Sequence, residues 1–142
     1  MIKKNNIENY IKLFESLNLE NLNKFDKLLN ENIYFEDPFN KVYGIENFKR
    51  IFSNTLNKLD NVEFKVLNII SKNNIYIIKW EMIYFAFNKT NSIFGLSEVT
   101  ISENNKIVSH IDYWDSYNNF YTKIPFLGLI FKFVLSLVRK RI

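Results

Sequence analysis

The stretch Ile33-Tyr34-Phe35-Glu36-Asp37-Pro38-Phe39 is followed by a turn over residues 40–44 and then by a helical pattern. Alternation along a strand places Ile33, Phe35 and Asp37 on one face. If that face is buried, Asp37 points into an apolar interior, where an isolated carboxylate is costly and is a candidate general base or acid. The alternative is that Asp37 only orders the turn, because Asp-Pro commonly opens turns.

Helical periodicity surrounds this strand. Apolar residues between positions 7 and 17 recur at helical spacing and predict an amphipathic helix. Asn18 is a suitable N-cap for a second helix. The apolar face of that helix would be formed by Leu22, Phe25, Leu28 and Leu29. A third helical stripe covers residues 45–59.

The pattern changes after Asp60. Residues 62–71, 75–87, 93–102 and 106–115 predict four strands, and the pair Asn73-Asn74 suits a tight turn. Strands joined by short polar turns form an antiparallel meander. Helices followed by such a sheet indicate an α+β fold, in which the sheet curls around the helices and leaves a cavity. We expect one domain over residues 1–116 and a C-terminal helical extension over residues 117–142.

Composition narrows the possible chemistry. The net charge is +4, and part of it lies in the last residues, which does not make a basic face suited to nucleic acid. The sequence has no cysteine and one histidine, which excludes thiolate and multi-histidine metal sites. We therefore expect neither a metal nor a cofactor. Because the first residues lead into an amphipathic pattern and not into an apolar signal core, we expect a cytoplasmic protein.

One strand offers a pair of groups for proton transfer. His110, Asp112 and Trp114 share one face of the strand over residues 106–115 by alternation. An Asp beside a His fixes the tautomer of the imidazole, as proton transfer requires. The alternative is a His–Asp pair on a solvated sheet face, although Trp114 on the same face argues against open solvent.

Other side chains would complete a pocket or belong to the core. Tyr10 lies on the apolar face of the first helix, and its hydroxyl needs a hydrogen-bond partner if it is buried. One face of the strand over residues 75–87 carries large side chains that would form an apolar wall or ordinary core: Trp80, Met82 and Tyr84.

The C-terminal segment is unusually apolar. Over residues 124–138 only Gly128, Lys132 and Ser136 interrupt it, and these fall in a narrow stripe on a helical wheel. The run is shorter than the roughly 20 residues of a transmembrane helix. It ends in Arg139-Lys140-Arg141, which suits anionic headgroups, so one expectation is peripheral membrane contact through residues 124–142. The favoured alternative is packing on its own domain, on the pocket mouth or on a second subunit in a homodimer.

The order of elements and the residues together resemble the nuclear transport factor 2-like superfamily, in its SnoaL-like and ketosteroid-isomerase-like branch. The resemblance covers residues 7–115. It rests on residues 10–19 of the first helix, on Glu36-Asp37-Pro38 followed by Gly44 and a helix, and on the late hairpin over residues 98–114. It implies a cone-shaped α+β fold, with three N-terminal helices packed in a curved antiparallel sheet with a pocket, plus an extra C-terminal amphipathic helix.

The superfamily contains isomerases, cyclases, dehydratases, epoxide hydrolases and non-catalytic binders. Ketosteroid isomerase uses an Asp base with an oxyanion hole made of a Tyr and a protonated Asp. The similarity implies Asp37 as the base and Tyr10 as the hydroxyl, whereas Ser97 stands near the place of the protonated Asp and departs from the pattern. His110 and Asp112 would relay or donate a proton.

The expected function is therefore binding of a small apolar molecule, with proton transfer that uses Asp37 as general base. The alternative is a non-catalytic lipid or small-molecule binder that associates with a membrane or with a second subunit through its C-terminal helix.

Overall fold

A computed structural model describes residues 6–139 of the chain. It is an α+β protein whose helices and strands alternate first and whose long strands follow as consecutive hairpins. The helices are α1 (Asn6–Glu15), α2 (Ile45–Lys58), α3 (Ser116–Asn119) and α4 (Leu127–Arg139), with 3₁₀ helices at Leu22–Lys27 and Tyr121–Lys123. The strands are β1 (Leu29–Glu36), β2 (Lys41–Tyr43), β3 (Asp60–Lys72), β4 (Ile75–Ala86), β5 (Lys89–Ile101) and β6 (Ile107–Trp114).

One six-stranded sheet has the strand order β2-β1-β6-β5-β4-β3. The meander from β3 to β6 is antiparallel, as the sequence predicts. The predicted curved antiparallel sheet is present with one departure, because β1 runs parallel to β6, with Phe35 beside His110. This pairing joins segments that are distant in the sequence, so no local turn signal reports it.

Two local predictions also need correction. The segment before Gly44 is not only a turn, since it includes the short strand β2, which pairs with β1. The second helix is a 3₁₀ helix over Leu22–Lys27, and Leu29 belongs to β1 instead of to that helix. The turn between β4 and β5 is formed by Phe87 and Asn88, both with positive φ, as in the primed turns that suit hairpins. Strand β5 therefore begins at Lys89, before the predicted start.

The core lies between the helices and the concave face of the sheet. Its largest fully buried side chains include four aromatic residues from different elements, Tyr10, Phe25, Phe35 and Phe48. Phe48 of α2 packs edge-on against Phe35 of β1, with ring centroids 5.4 Å apart. Alternate residues of β5 face this side and are buried, so the strand presents a continuous inner row that contains Ile93, Ser97 and Val99.

The C-terminal segment continues past β6 as α3, a 3₁₀ turn and α4. Asp115 caps α3 by accepting a hydrogen bond of 3.0 Å from the Asn118 backbone N–H. Helix α4 meets the 3₁₀ turn through Gly128, which is buried against Thr122. Within residues 6–139, no helix is both long and apolar enough to cross a membrane.

Candidate functional site

A cavity of about 560 Å³ lies between the helices and the concave face of the sheet. Most of its wall is apolar, with side chains from α1, α2 and the long strands. A volume of this size suits a small organic ligand, because such sites span roughly 300–1,000 Å³. The wall includes every side chain that the sequence nominated for a site: Tyr10, Asp37, Trp80, Met82, Tyr84, Ser97, His110, Asp112 and Trp114.

A chain of hydrogen bonds crosses the deep end of this cavity. The Tyr10 hydroxyl of α1 lies 2.6 Å from His110 Nδ1 on β6. On the other side of the imidazole, His110 Nε2 lies 2.7 Å from Asp112 Oδ1. The structure thus brings together three of the four predicted catalytic residues, Tyr10, His110 and Asp112.

The direction of these bonds is set at Asp112, because its Oδ1 is an acceptor and His110 Nε2 therefore donates to it. Burial, and secondarily the charge of Asp112, raise the pKa of the Tyr10 hydroxyl well above its usual value. The hydroxyl therefore stays neutral and can donate a hydrogen bond to His110 Nδ1, which accepts in the tautomer that carries its proton on Nε2. The other ring nitrogen, Nε2, then carries the imidazole proton and donates to the Asp112 carboxylate.

Ser97 and Trp80 extend the network from the neighbouring strands. Trp80 Nε1 on β4 donates a hydrogen bond of 2.8 Å to Ser97 Oγ on β5. Ser97 Oγ in turn donates to Asp112 Oδ1, and it lies 3.1 Å from His110 Nε2. Because Ser97 pairs with Asp112 across the β5–β6 ladder, the sheet register itself sets this contact.

The two carboxylate oxygens of Asp112 differ in their surroundings. The hydrogen bonds from His110 and Ser97 both end on Oδ1. Within the described part of the chain, Oδ2 accepts no hydrogen bond, yet no fully buried side-chain oxygen or nitrogen lacks a partner. Oδ2 is therefore accessible, and since Asp112 lines the cavity with a side chain only 14% exposed, this oxygen is open to the cavity.

Asp37 lies elsewhere on the cavity wall, just beyond the end of β1. Its Oδ1 accepts hydrogen bonds from the backbone N–H groups of Phe39, at 2.8 Å, and of Asn40, at 2.7 Å. The Asn40 side-chain amide reaches both carboxylate oxygens. The carboxylate therefore orders the Asp-Pro turn, which was the alternative that the sequence left open. A catalytic role for Asp37 stays a prediction.

The turn that Asp37 orders places Phe39 at the cavity mouth. Its ring contacts Trp114 at a centroid distance of 5.3 Å and Phe120 at 4.9 Å. Residues 119, 120 and 123–125 of the C-terminal segment also line the cavity. The predicted site did not include Phe39, Asn119, Phe120 or Lys123, although an aromatic residue directly after Asp-Pro was a visible signal.

Met82 and Tyr84 line the cavity from β4, on the same strand face as Trp80. Burial raises the pKa of the Tyr84 hydroxyl, which therefore stays neutral and contributes an apolar ring with a polar tip. Among residues 6–139, no three His, Cys, Asp or Glu side chains lie close enough together to hold a metal ion.

Comparison with known proteins identifies the fold. An NTF2-like protein of unknown function from Exiguobacterium sp. 255-15 is 13% identical, with a TM-score of 0.67 over 78% of this chain and 98% of that one. A protein from Catenulispora acidiphila DSM 44928 with a ketosteroid isomerase-like fold, in complex with trimethylamine, is 12% identical, with a TM-score of 0.69 over 82% and 89%.

A putative SnoaL-like polyketide cyclase from Jannaschia sp. CCS1 is also 12% identical, with a TM-score of 0.65 over 80% of this chain and 88% of that one. These likenesses confirm the expected fold, and at such identities they show the fold alone. Residues 8–110 match a family model described as "Uncharacterized conserved protein (DUF2358)". No curated protein matches the sequence significantly.

Proposed function

Because the chain belongs to the DUF2358 family and has the NTF2-like cone fold, we propose that it binds a small apolar molecule in the concave cavity and transfers a proton to or from it. The observation that supports this most directly is the asymmetry of Asp112. Its Oδ1 is held by the protein, whereas Oδ2 is open to an apolar ligand space.

Asp112 is the proposed proton acceptor. Donors from His110 and Ser97 fix the carboxylate, so its second oxygen meets a bound ligand in one orientation. In the proposed reaction, Oδ2 takes a proton from a carbon of the ligand and later returns it to another atom of the same molecule. Return to a different carbon is an isomerisation, and transfer to a departing hydroxyl is a dehydration that releases water. General acid–base catalysis of this kind contributes about 10²–10⁴-fold.

His110 and Tyr10 position this acceptor. The Tyr10 hydroxyl occupies Nδ1, so the imidazole can present only its Nε2–H to Asp112. The side chain of His110 is only 5% exposed, and aromatic rings of Phe14 and Phe35 lie within 6 Å of its own ring. Such a dry setting keeps the hydrogen bonds to Asp112 strong.

Asp37 is the weaker candidate for the base. Backbone and side-chain donors of the turn already occupy its carboxylate, and moving it toward a ligand would break those bonds. Asp37 as general base is therefore the competing assignment, and substitution of each aspartate in turn distinguishes it from Asp112.

The test uses ligand that copurifies with the full-length protein. Molecules extracted from the purified protein are identified by mass spectrometry and then incubated in D₂O buffer with wild-type protein, Asp112→Asn or Asp37→Asn. We expect deuterium to enter a carbon position of the ligand with the wild type and with Asp37→Asn, but about 10²-fold or more slowly with Asp112→Asn. Loss with Asp37→Asn alone would assign the base to Asp37 and overturn the role of Asp112.

A second candidate function is binding without catalysis. It is favoured by the closed character of the polar network, in which Tyr10, His110, Ser97 and Trp80 satisfy one another. Such a network can serve only to keep the polar groups of a binding cavity paired. The comparison is the rate at which a copurified ligand takes up deuterium in the presence and in the absence of the protein. If the two rates are equal, the protein is a binder and proton transfer is excluded for that ligand.

A further inference from the structure

The C-terminal helix α4 carries its apolar side chains on the outside of the protein. Ile130 is 58% exposed, Phe133 is 63% exposed and Val134 is 52% exposed. The residue of α4 that is buried is Gly128, which belongs to the small and polar stripe. This is the reverse of a helix that covers the core of its own domain, where the apolar stripe is buried. The expectation that α4 packs its apolar face on its own domain is wrong for these residues.

We propose that α4 lies in the surface of an anionic membrane, with its apolar face among the lipid chains and its long axis parallel to the bilayer plane. A helix of this kind, with a large apolar face and basic residues, is the usual form of an interfacial helix. The helix has 13 residues, about 20 Å at 1.5 Å per residue, which is too short for a span and sufficient for a peripheral contact.

The width of the apolar face favours a membrane over a second copy of the chain. On a helical wheel with 100° per residue, the exposed apolar side chains of α4 cover an arc of about 200°. Leu129 lies at one edge of this arc and Phe131 at the other. A partner helix covers a stripe of roughly 100°, so pairing of two α4 helices would leave much of this arc in water. A helix that lies in a lipid interface buries its whole apolar face, so a broad arc of this kind suits it.

The charge of the segment specifies the lipid. Five of the 19 Lys and Arg residues lie after Asp115, and none of the 15 Asp and Glu residues does. Lys132 and Arg139 share the narrow polar stripe of α4 with Gly128 and Ser136, and the sequence continues with Lys140 and Arg141. Each cation near an anionic leaflet strengthens binding, so the segment is complementary to phosphatidylglycerol or phosphatidylserine.

The cavity mouth adjoins the proposed membrane contact. Lys123, Ile124 and Pro125 line the cavity, and α4 begins at Leu127, two residues later. Phe126, between them, is 84% exposed. A membrane bound by α4 would therefore lie beside the mouth, and an apolar ligand could pass between lipid and cavity without crossing water. This second step, that the ligand comes from the bilayer, rests on the proposed ligand-binding function, whereas the membrane contact does not.

Vesicle flotation of the full-length protein tests the contact. We expect the wild type to float with vesicles of phosphatidylcholine and phosphatidylglycerol, and less with phosphatidylcholine alone. The double variant Ile130→Ser with Phe133→Ser should bind at least about tenfold more weakly, since two large side chains lose their burial in lipid. Lys132→Gln with Arg139→Gln should weaken binding only to the anionic vesicles, by about fivefold per charge.

The matched control is Phe94→Ser with Leu96→Ser on β5, where both side chains are likewise exposed. It removes comparable apolar surface away from α4 and should float as the wild type does. An equal loss of vesicle binding in the control variant would show that exposed apolar side chains promote binding wherever they lie, and it would overturn the proposal. The proposal would also be overturned if the wild type were a dimer that does not float with vesicles and if Ile130→Ser with Phe133→Ser converted it to a monomer. That result would mean that α4 pairs with a second copy of the chain.

Fluorescence tests the placement of the mouth. The chain has two tryptophans, so Trp80→Phe leaves Trp114, which contacts Phe39 at the mouth, as the single emitter. Brominated phosphatidylcholine mixed with phosphatidylglycerol should quench Trp114 in vesicle-bound protein. If the protein binds the vesicles but Trp114 is not quenched, the proposed membrane contact of α4 stands, and the proposal that the ligand enters the cavity from the bilayer is overturned. Neither result depends on deuterium transfer, so failure here and failure of the proposed reaction are distinguishable.

Discussion

Gly95 of β5 lies directly opposite Trp80 of β4, and a Cβ atom at Gly95 would lie 2.3 Å from Cζ2 of the Trp80 indole. The missing side chain is therefore what allows the indole to lie across the neighbouring strand. From that position Trp80 Nε1 reaches Ser97, the next residue of β5 on the same face. A glycine without a special φ thus supports the polar network around Asp112.

Gly95→Ala should push the indole away and break its hydrogen bond to Ser97. The expected loss in the free energy of unfolding is about 1–3 kcal/mol, the usual cost of forcing extra volume into a packed site. Urea unfolding followed by circular dichroism measures it. A double-mutant cycle with Trp80→Phe is the control, because phenylalanine lacks the ring atoms that collide with the new methyl group. An equal cost of Gly95→Ala in both backgrounds would show that the Trp80 contact is not its cause.

Tyr10→Phe should destabilise the protein at neutral pH by about 1–3 kcal/mol, since it leaves the buried His110 Nδ1 without its donor. Urea unfolding measures the difference from the wild type. Tyr113→Phe, which removes an exposed hydroxyl, is the control and should change stability by less than about 0.5 kcal/mol at neutral pH.

The same variant has an expected pH dependence. The pKa of Tyr10 is higher in the folded protein than the value of about 10 in the unfolded chain. Its contribution to stability is therefore complete below about pH 10 and decreases as the pH rises toward the folded-state pKa, because only the unfolded chain ionises there. The stability advantage of the wild type over Tyr10→Phe should shrink between pH 9 and 11, roughly across the unfolded-state pKa. A constant difference over that range would contradict the raised pKa.

Local sequence patterns were sufficient for most of the fold. Apolar periodicity located α1, α2 and the four long strands, and Asn73 adopts the positive φ that its turn required. The parallel neighbour of β1 could not be read in this way, because about half of the chain separates β1 from β6. The strand β2 has only three residues and carries too little pattern to separate it from a turn.

The candidate site was predictable where it lies on one strand. Alternation alone placed His110 and Asp112 on a shared face. The Tyr10–His110 bond joins residues 100 positions apart, and only the packing of α1 against the sheet creates it. The orientation of Asp37 depended on a competition between the cavity and the turn amides, which a sequence pattern does not resolve.

Asp37→Ala should loosen the turn that presents Phe39 at the cavity mouth. We expect a loss of about 1–2 kcal/mol in the free energy of unfolding, since two backbone N–H groups lose their acceptor. Asp37→Asn keeps one acceptor oxygen and should cost less than half as much. Amide hydrogen exchange should accelerate at Phe39 and Asn40 in the alanine variant. If neither substitution changes stability or exchange, the turn role is wrong and the assignment of Asp37 as the base regains support.

Gly128→Ala should release α4 from the rest of the protein. A Cβ at this position would lie 2.4 Å from the Thr122 carbonyl oxygen, which is backbone and cannot rotate away. Alanine by itself favours a helix over glycine by about 1 kcal/mol, so the two effects have opposite signs. We expect the clash with the Thr122 backbone to outweigh the gain in helix propensity. Amide hydrogen exchange should then be faster over residues 120–130 and unchanged in β4 and β5. Ser136→Ala on the same stripe, whose hydroxyl bonds only within α4, is the control. Slower exchange in Gly128→Ala would mean that helix propensity, and not the contact with Thr122, limits the order of this segment.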